Sequence, residues 1–187
     1  MFLGHRPSSR EIEAFVETSR RLPLSYEPIG LAEQTPTGYM TDHEEAVVGR
    51  GDAAFERAKV ALAAWRHFDL GWVELVPPHA QIQPGTVVAV VVRHLGFWSM
   101  NGCRIVYLVE ADREYGFAYG TLTNHAESGE EIFTVSLNPE TGDVTYVIRA
   151  VSRPRAPLAR LGYPVTRRLQ ARFRRDSSAA MSRAIAG

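Results

Sequence analysis

Cysteine is nearly missing from this chain: Cys103 is the only one in 187 residues. A single thiol excludes an intrachain disulfide and a cysteine metal cluster. Lysine is as scarce, with Lys59 alone among 21 basic residues. Long apolar runs are lacking too. None is longer than the run over residues 87–92, far short of the roughly 20 residues that a membrane-spanning helix needs. Residues 1–6 carry no secretory apolar core or cleavage pattern. No glycine-rich phosphate loop, serine nucleophile elbow or dinucleotide fingerprint occurs, and Gly49-Arg50-Gly51 is too short to count as one. These absences lead to the expectation of a cytoplasmic protein without cofactor or metal, monomeric or a weak homodimer.

The sequence is otherwise that of an ordinary globular chain, 45% hydrophobic and 22% charged, long enough for one domain with its own core over 1–187. Its net charge of zero hides an asymmetry. Residues 153–187 hold nine arginines against one acid, Asp176, and the preceding residues carry the balancing excess of acid.

Residues 116–122 organise the remainder. Tyr115, Phe117, Tyr119 and Thr121 point one way along a strand, and Gly116, Ala118 and Gly120 point the other, because strand side chains alternate. One face is aromatic and the other bare. Glycine inside a strand marks a bend or the close approach of a ligand or another backbone. Ser8 and Glu11 form a capping box for a helix ending near residue 21, before Pro23. Residues 24–40 show no period and read as an irregular wrap. A short strand near 46–48 precedes a helix over 53–68, capped by Asp52 and carrying Phe55, Ala58, Leu62 and Trp65 on one face. Strands follow at 72–76, 86–95, 103–110, 115–122, 131–137 and 143–152, with Asn101-Gly102 read as a turn between two of them. The strand over 86–92 is apolar on both faces and is expected to be covered on both sides. The last helix runs from residue 158 to about 185, with Leu161, Val165, Leu169, Phe173, Ala180, Ala184 and Ile185 as its apolar stripe. Small residues 177–180 allow it to approach the sheet closely.

Sequential antiparallel strands flanked by helices predict an α+β fold: a curved antiparallel sheet of about seven strands wrapped around a long C-terminal helix, plus an N-terminal helix. Residues 1–40 supply the N-terminal helix and wrap, and 41–187 the core. This plan is that of helix-grip, START-like proteins by analogy.

Several segments together resemble an uncharacterised protein family, number 0548. They include Phe68-Asp69-Leu70-Gly71-Trp72-Val73, Arg93-His94-Leu95-Gly96, Asn101-Gly102-Cys103-Arg104-Ile105-Val106-Tyr107, and Gly116-Phe117-Ala118-Tyr119-Gly120 with His125, Glu127, Gly129, Glu130 and Glu131. Ser152-Arg153-Pro154 and Arg172-Phe173-Arg174-Arg175-Asp176-Ser177 extend the likeness to the last helix. The resemblance implies a stand-alone domain and assigns no activity.

Two groups of residues carry candidate chemistry. Tyr107, Tyr119, Arg104, His94 and Asn101, with Phe117 and Trp98, would give an apolar cavity a few polar anchors, the usual make-up of a small-molecule site. This places Tyr107 on one face with Cys103 and Ile105. The alternative is a packed core whose tyrosines bond the backbone. The second group is His94 and His125 with Glu127 and Glu131, and Glu130 in the same loop, which could perform acid–base work or, through His125 and the loop carboxylates, bind a divalent metal, although the spacing matches no established metal signature. Its alternative is a polar hairpin end paired with arginines such as Arg104 and Arg149. Glu131 begins a strand and points inward on this reading. The leading expectation is binding of a small apolar or amphipathic molecule between sheet and C-terminal helix. A hydrolase, cyclase or isomerase on the same frame is the second. An interaction module built on the arginine-rich helix is the third. The absence of a base-reading motif and the scarcity of lysine argue against nucleic acid.

Overall fold

The computed structural model describes residues 1–34, 36–94, 96–155 and 163–186. In chain order these form β1 (Phe2–Leu3), α1 (Ser9–Ser19), β2 (Met40–Arg50), α2 (Gly51–Ala63), β3 (Val73–Val76), β4 (Val87–Arg93), β5 (Trp98–Ala111), β6 (Glu114–Thr121), β7 (Glu127–Leu137), β8 (Asp143–Pro154) and α3 (Tyr163–Ala186). Short 3-10 turns stand at Leu31–Glu33 and Arg66–Phe68. Helix α1 starts with the expected capping box: Glu11 N donates to Ser8 Oγ, and Ser8 N donates to Glu11. Helix α2 has no side-chain cap, and Arg50 rather than Asp52 occupies its N-cap. It ends before Trp65, which adopts a left-handed backbone. The expected start of the last helix at residue 158, and Leu161 of its stripe, lie outside the described residues.

The strands form an antiparallel sheet in the order β2-β8-β7-β6-β5-β4-β3, with β1 added to the start of β5. The concave face holds the main core, where Ile105, Phe117, Phe133, Tyr146 and Ile148 meet Leu62, Trp65 and Met181 from the helices. Helix α3 lies in this concavity and ties down both sheet edges. At the β2 edge, Arg167 and Arg174 pair with Asp42. At the β3 edge, the Trp72 indole N–H donates to Asp176 at 2.9 Å, and the Arg172 guanidinium covers the Trp72 ring at 4.5 Å. Ser177, Ser178 and Ala180 are buried, and Ser177 bonds Tyr146 of β8 at 2.9 Å. Val165, expected on the apolar stripe, is 52% exposed.

Both faces of β4 are covered, as its unbroken apolar run requires. Val88 and Val90 join the concave core, whereas Ala89 and Val91 pack outward with Ile12, Phe15 and Val16 of α1. The irregular wrap covers the convex face farther along: Tyr26, Leu31 and Ala32 pack on Val151. Here the bare side of β6 finds its use. A Cβ on Gly120 would sit 2.7 Å from Tyr26 Cε1 and closer still to the phenolic oxygen. Only glycine leaves room for that ring.

Asn101-Gly102 forms no turn. It lies inside β5, paired with Val90 and Ala89. A dipeptide that favours hairpins serves close approach instead, because a Cβ on Gly102 would collide with Asn124 and lie 3.1 Å from Ser19 Oγ.

Candidate functional site

A cavity of about 200 Å³ lies between the concave sheet and α3. Phe68, Trp72, Val90, Val92, Leu169 and Phe173 make its apolar wall. Its polar residues come from β2, β5, β6, β7 and α3. Tyr119 points inward from β6 and donates its hydroxyl hydrogen to Glu131 Oε2 at 2.7 Å. The two residues are direct cross-strand partners, so the register itself builds this pair. Glu127, nearer the start of β7, accepts from the Gln170 side-chain N–H with both oxygens, at 2.9 and 2.7 Å. Gln170 in turn accepts from Arg167 at 2.9 Å. Arg167 forks onto Asp42, with one arm at 2.6 Å, and Arg174 reaches the same carboxylate at 3.2 Å.

Burial controls the protonation of this end. It raises Glu131 to about 7, opposed by the Tyr119 hydrogen bond and by Arg174, and reinforced by the negative charges of Glu127 and Asp42. Burial also raises Glu127, opposed by Gln170. The same cause acts oppositely on bases. It lowers His94, and it lowers His125 to about 3, so both imidazoles are neutral.

Of the residues singled out from sequence, His94, Asn101, Tyr119, His125, Glu127 and Glu131 line this one cavity. They do not form an imidazole–carboxylate pair. His94 bonds Ser99 at 2.8 Å and stacks on Phe97, and His125 Nδ1 accepts the Glu127 backbone N–H at 2.9 Å. The remaining four stand elsewhere. Arg104 faces outward and donates to the carbonyls of Arg20 and Leu22, beyond the end of α1. Trp98 packs in the convex cluster beneath Arg6. Phe117 is fully buried core, with its ring centroid 4.8 Å from that of Trp65.

Tyr107 corrects the expected alternation. A register shift between Ile105 and Tyr107 inserts one residue, so Ile105 faces Tyr119 while Tyr107 pairs with Ala118. A β-bulge of this kind flips the following side chain to the opposite face. Tyr107 therefore lies on the convex side, where its hydroxyl donates to Glu130 at 3.0 Å. Glu130 also accepts from Tyr26 OH at 2.5 Å and from the backbone N–H groups of Gly30 and Ala32, both at 3.1 Å. This carboxylate fastens the wrap to the sheet and turns away from the ligand space.

Sequence reading missed Asp42, Gln170 and Arg174. Asp42 sits alone on an edge strand and carries no local signal. The helix residues did carry one: Arg167, Gln170 and Arg174 recur at three- and four-residue spacing and so share a face, although the arginine excess of the whole helix obscures it.

Residues 25–180 match the family described as "Domain of unknown function (DUF1990)". The chain is 31% identical over 207 residues to a UPF0548 protein of Dictyostelium discoideum, covering 99% of this chain and 96% of that one. It is 33% identical over 199 residues to a UPF0548 protein of Deinococcus radiodurans, covering 98% of each. Among solved structures, a point mutant of Thalictrum norcoclaurine synthase in complex with a transition-state analogue superposes with a TM-score of 0.53. That match has 13% identity and covers 81% of this chain and 97% of that one, and at such identity it speaks to fold alone. No helix among the described residues is long and apolar enough to cross a membrane.

Proposed function

This chain belongs to the UPF0548 (DUF1990) family, and from its geometry we propose that it is a cytoplasmic binding protein for a small amphipathic molecule. The observation that carries the reading is the cavity: apolar and aromatic on one wall, with a cluster of hydrogen-bonding side chains at the other end. Binding gains from burying apolar ligand surface, at about 25 cal/mol per Å² before association costs. Orientation comes from Tyr119, Glu131, Glu127 and Asn101. The volume sets the size. An engineered apolar cavity of about 150 Å³ holds benzene, so about 200 Å³ suits one ring with a short polar arm.

The test is a titration with benzyl alcohol, followed by amide NMR. The expected result is saturable shifts confined to residues such as Val90, Ala126, Gly129 and Phe173. Substitution of Val90 by Phe, which fills the cavity, should abolish them. Shifts that survive this substitution, or an absence of shifts at the cavity, would remove the reading.

The Tyr119–Glu131 pair favours a second reading, an enzyme acting on the same kind of molecule. A carboxylic acid that titrates at about 7 can give or take a proton at neutral pH. On this reading Glu131 is the acid–base group in place of the histidines, which burial keeps neutral. An E131Q variant that binds ligand but turns over no substrate would support it. The third expectation, a basic interaction helix, loses force because Arg167 and Arg174 pair with Asp42 and Arg172 with Asp176.

A further inference from the structure

Three carboxylates meet two guanidinium groups at the polar end of the cavity. Asp42, Glu127 and Glu131 supply the negative charges, and Arg167 and Arg174 the positive ones. Among the described residues, both arginines form direct ion pairs with Asp42. Glu127 receives a neutral amide from Gln170 and a neutral hydroxyl from Ser152, and Glu131 a neutral phenol from Tyr119. Among the described residues, neither glutamate forms an ion pair with a cation.

The surrounding groups do not make up the difference. His94 and His125 are held neutral by burial. The Met1 ammonium is bonded to the Met100 carbonyl at 2.7 Å, where its charge acts on His125. Glu130 is saturated on the convex side by Tyr26, Tyr107 and two backbone N–H groups. With both cavity glutamates ionised, the carboxylates described at this end outnumber its described guanidiniums by one. An enclosed carboxylate in that position either keeps its proton or finds a cation. Both glutamates line the cavity beside an aromatic wall, so an entering molecule can deliver that cation.

We propose that the occupant of this cavity is a small amphipathic amine, its ammonium group held by Glu127 and Glu131 and its apolar part lying against Phe68, Trp72 and Phe173. The proposal rests on the ligand-binding reading above and specifies its chemistry. An anionic ligand is the worst match, because it would meet three acids after both guanidiniums have been engaged. A neutral alcohol could bond Glu131 in its protonated form but would leave the charge deficit in place.

Three probes of similar size separate the possibilities: benzylamine, benzyl alcohol and benzoate, each titrated into the full chain with amide NMR at pH 8 and at pH 5.5. Benzylamine should bind at least about tenfold more tightly than benzyl alcohol at pH 8, with benzoate weakest. Its advantage should shrink at pH 5.5, because Glu131, at about 7, is then protonated while the amine keeps its charge. E131Q should remove most of the benzylamine advantage, so that in the variant benzylamine and benzyl alcohol bind within about twofold of each other, as loss of the charge partner requires. If benzyl alcohol or benzoate bound as tightly as benzylamine, the charge assignment would fall and the cavity reading would stand. If none of the three shifted a cavity resonance, the cavity reading itself would fall.

Discussion

Tyr119 and Glu131 face each other across β6 and β7, and the tyrosine hydroxyl donates to the carboxylate at 2.7 Å inside the cavity. The hydrogen bond offsets only part of the cost of enclosing the carboxylate, which is why the acid rises from 4.5 to about 7. The consequence for stability has a definite sign. Below pH 4.5 the group is protonated in both folded and unfolded chains and contributes no pH dependence. Between 4.5 and 7 the unfolded chain ionises while the folded one keeps its proton, so stability falls as pH rises, and the loss is complete above 7. Such a shift corresponds to about 3 kcal/mol at most. E131Q should therefore raise stability by about 1–3 kcal/mol at pH 8 and have little effect at pH 4. Urea unfolding at the two pH values checks this.

Glu130 predicts a different pattern. Tyr26 and Tyr107 donate to opposite oxygens of this one carboxylate. Y26F and Y107F should each cost about 1–2 kcal/mol. The double variant should depart from the sum by more than about 0.5 kcal/mol, since the two donors share a buried acceptor. Strict additivity in a double-mutant cycle would show that the shared carboxylate does not couple the wrap to the sheet.

Asp42 is the anchor of α3 at the β2 edge. Its side chain is 8% exposed and receives two arginines. D42N leaves both cations without their counter-charge and should cost about 2–4 kcal/mol. It should also move the Glu131 titration to lower pH, because the Asp42 charge helps to raise it. Carboxyl NMR titration reads the second effect independently of any loss of stability.

The sheet and its central strand were legible because alternation is a strong signal. Periodicity sets Tyr119 on the aromatic side of its strand without saying which side is concave; in the structure that side, with its cross-strand partner Glu131, lines the cavity. Tyr107 was not, because a single inserted residue changes no composition and no hydropathy, yet reverses every side chain beyond it. Gly102 misled for a related reason: glycine beside asparagine suits a tight turn and a crossing of loops equally well, and only the partners Asn124 and Ser19 distinguish them. Glu130 and Glu131 are adjacent and chemically alike, but one fastens the wrap outside while the other faces the ligand space inside. Their separation depends on register alone. Asp42 and Arg174 lie far apart in sequence and meet only when α3 crosses the β2 edge, a long-range contact that local pattern does not encode.

The most direct test of the account is a crystal structure of the protein grown with 4-bromobenzylamine, with data collected at the bromine edge. The account predicts one anomalous peak between Trp72 and Phe173, with the amine directed at Glu127 and Glu131. A cavity closed by its own side chains, with bromine found only on the outer surface, would contradict it.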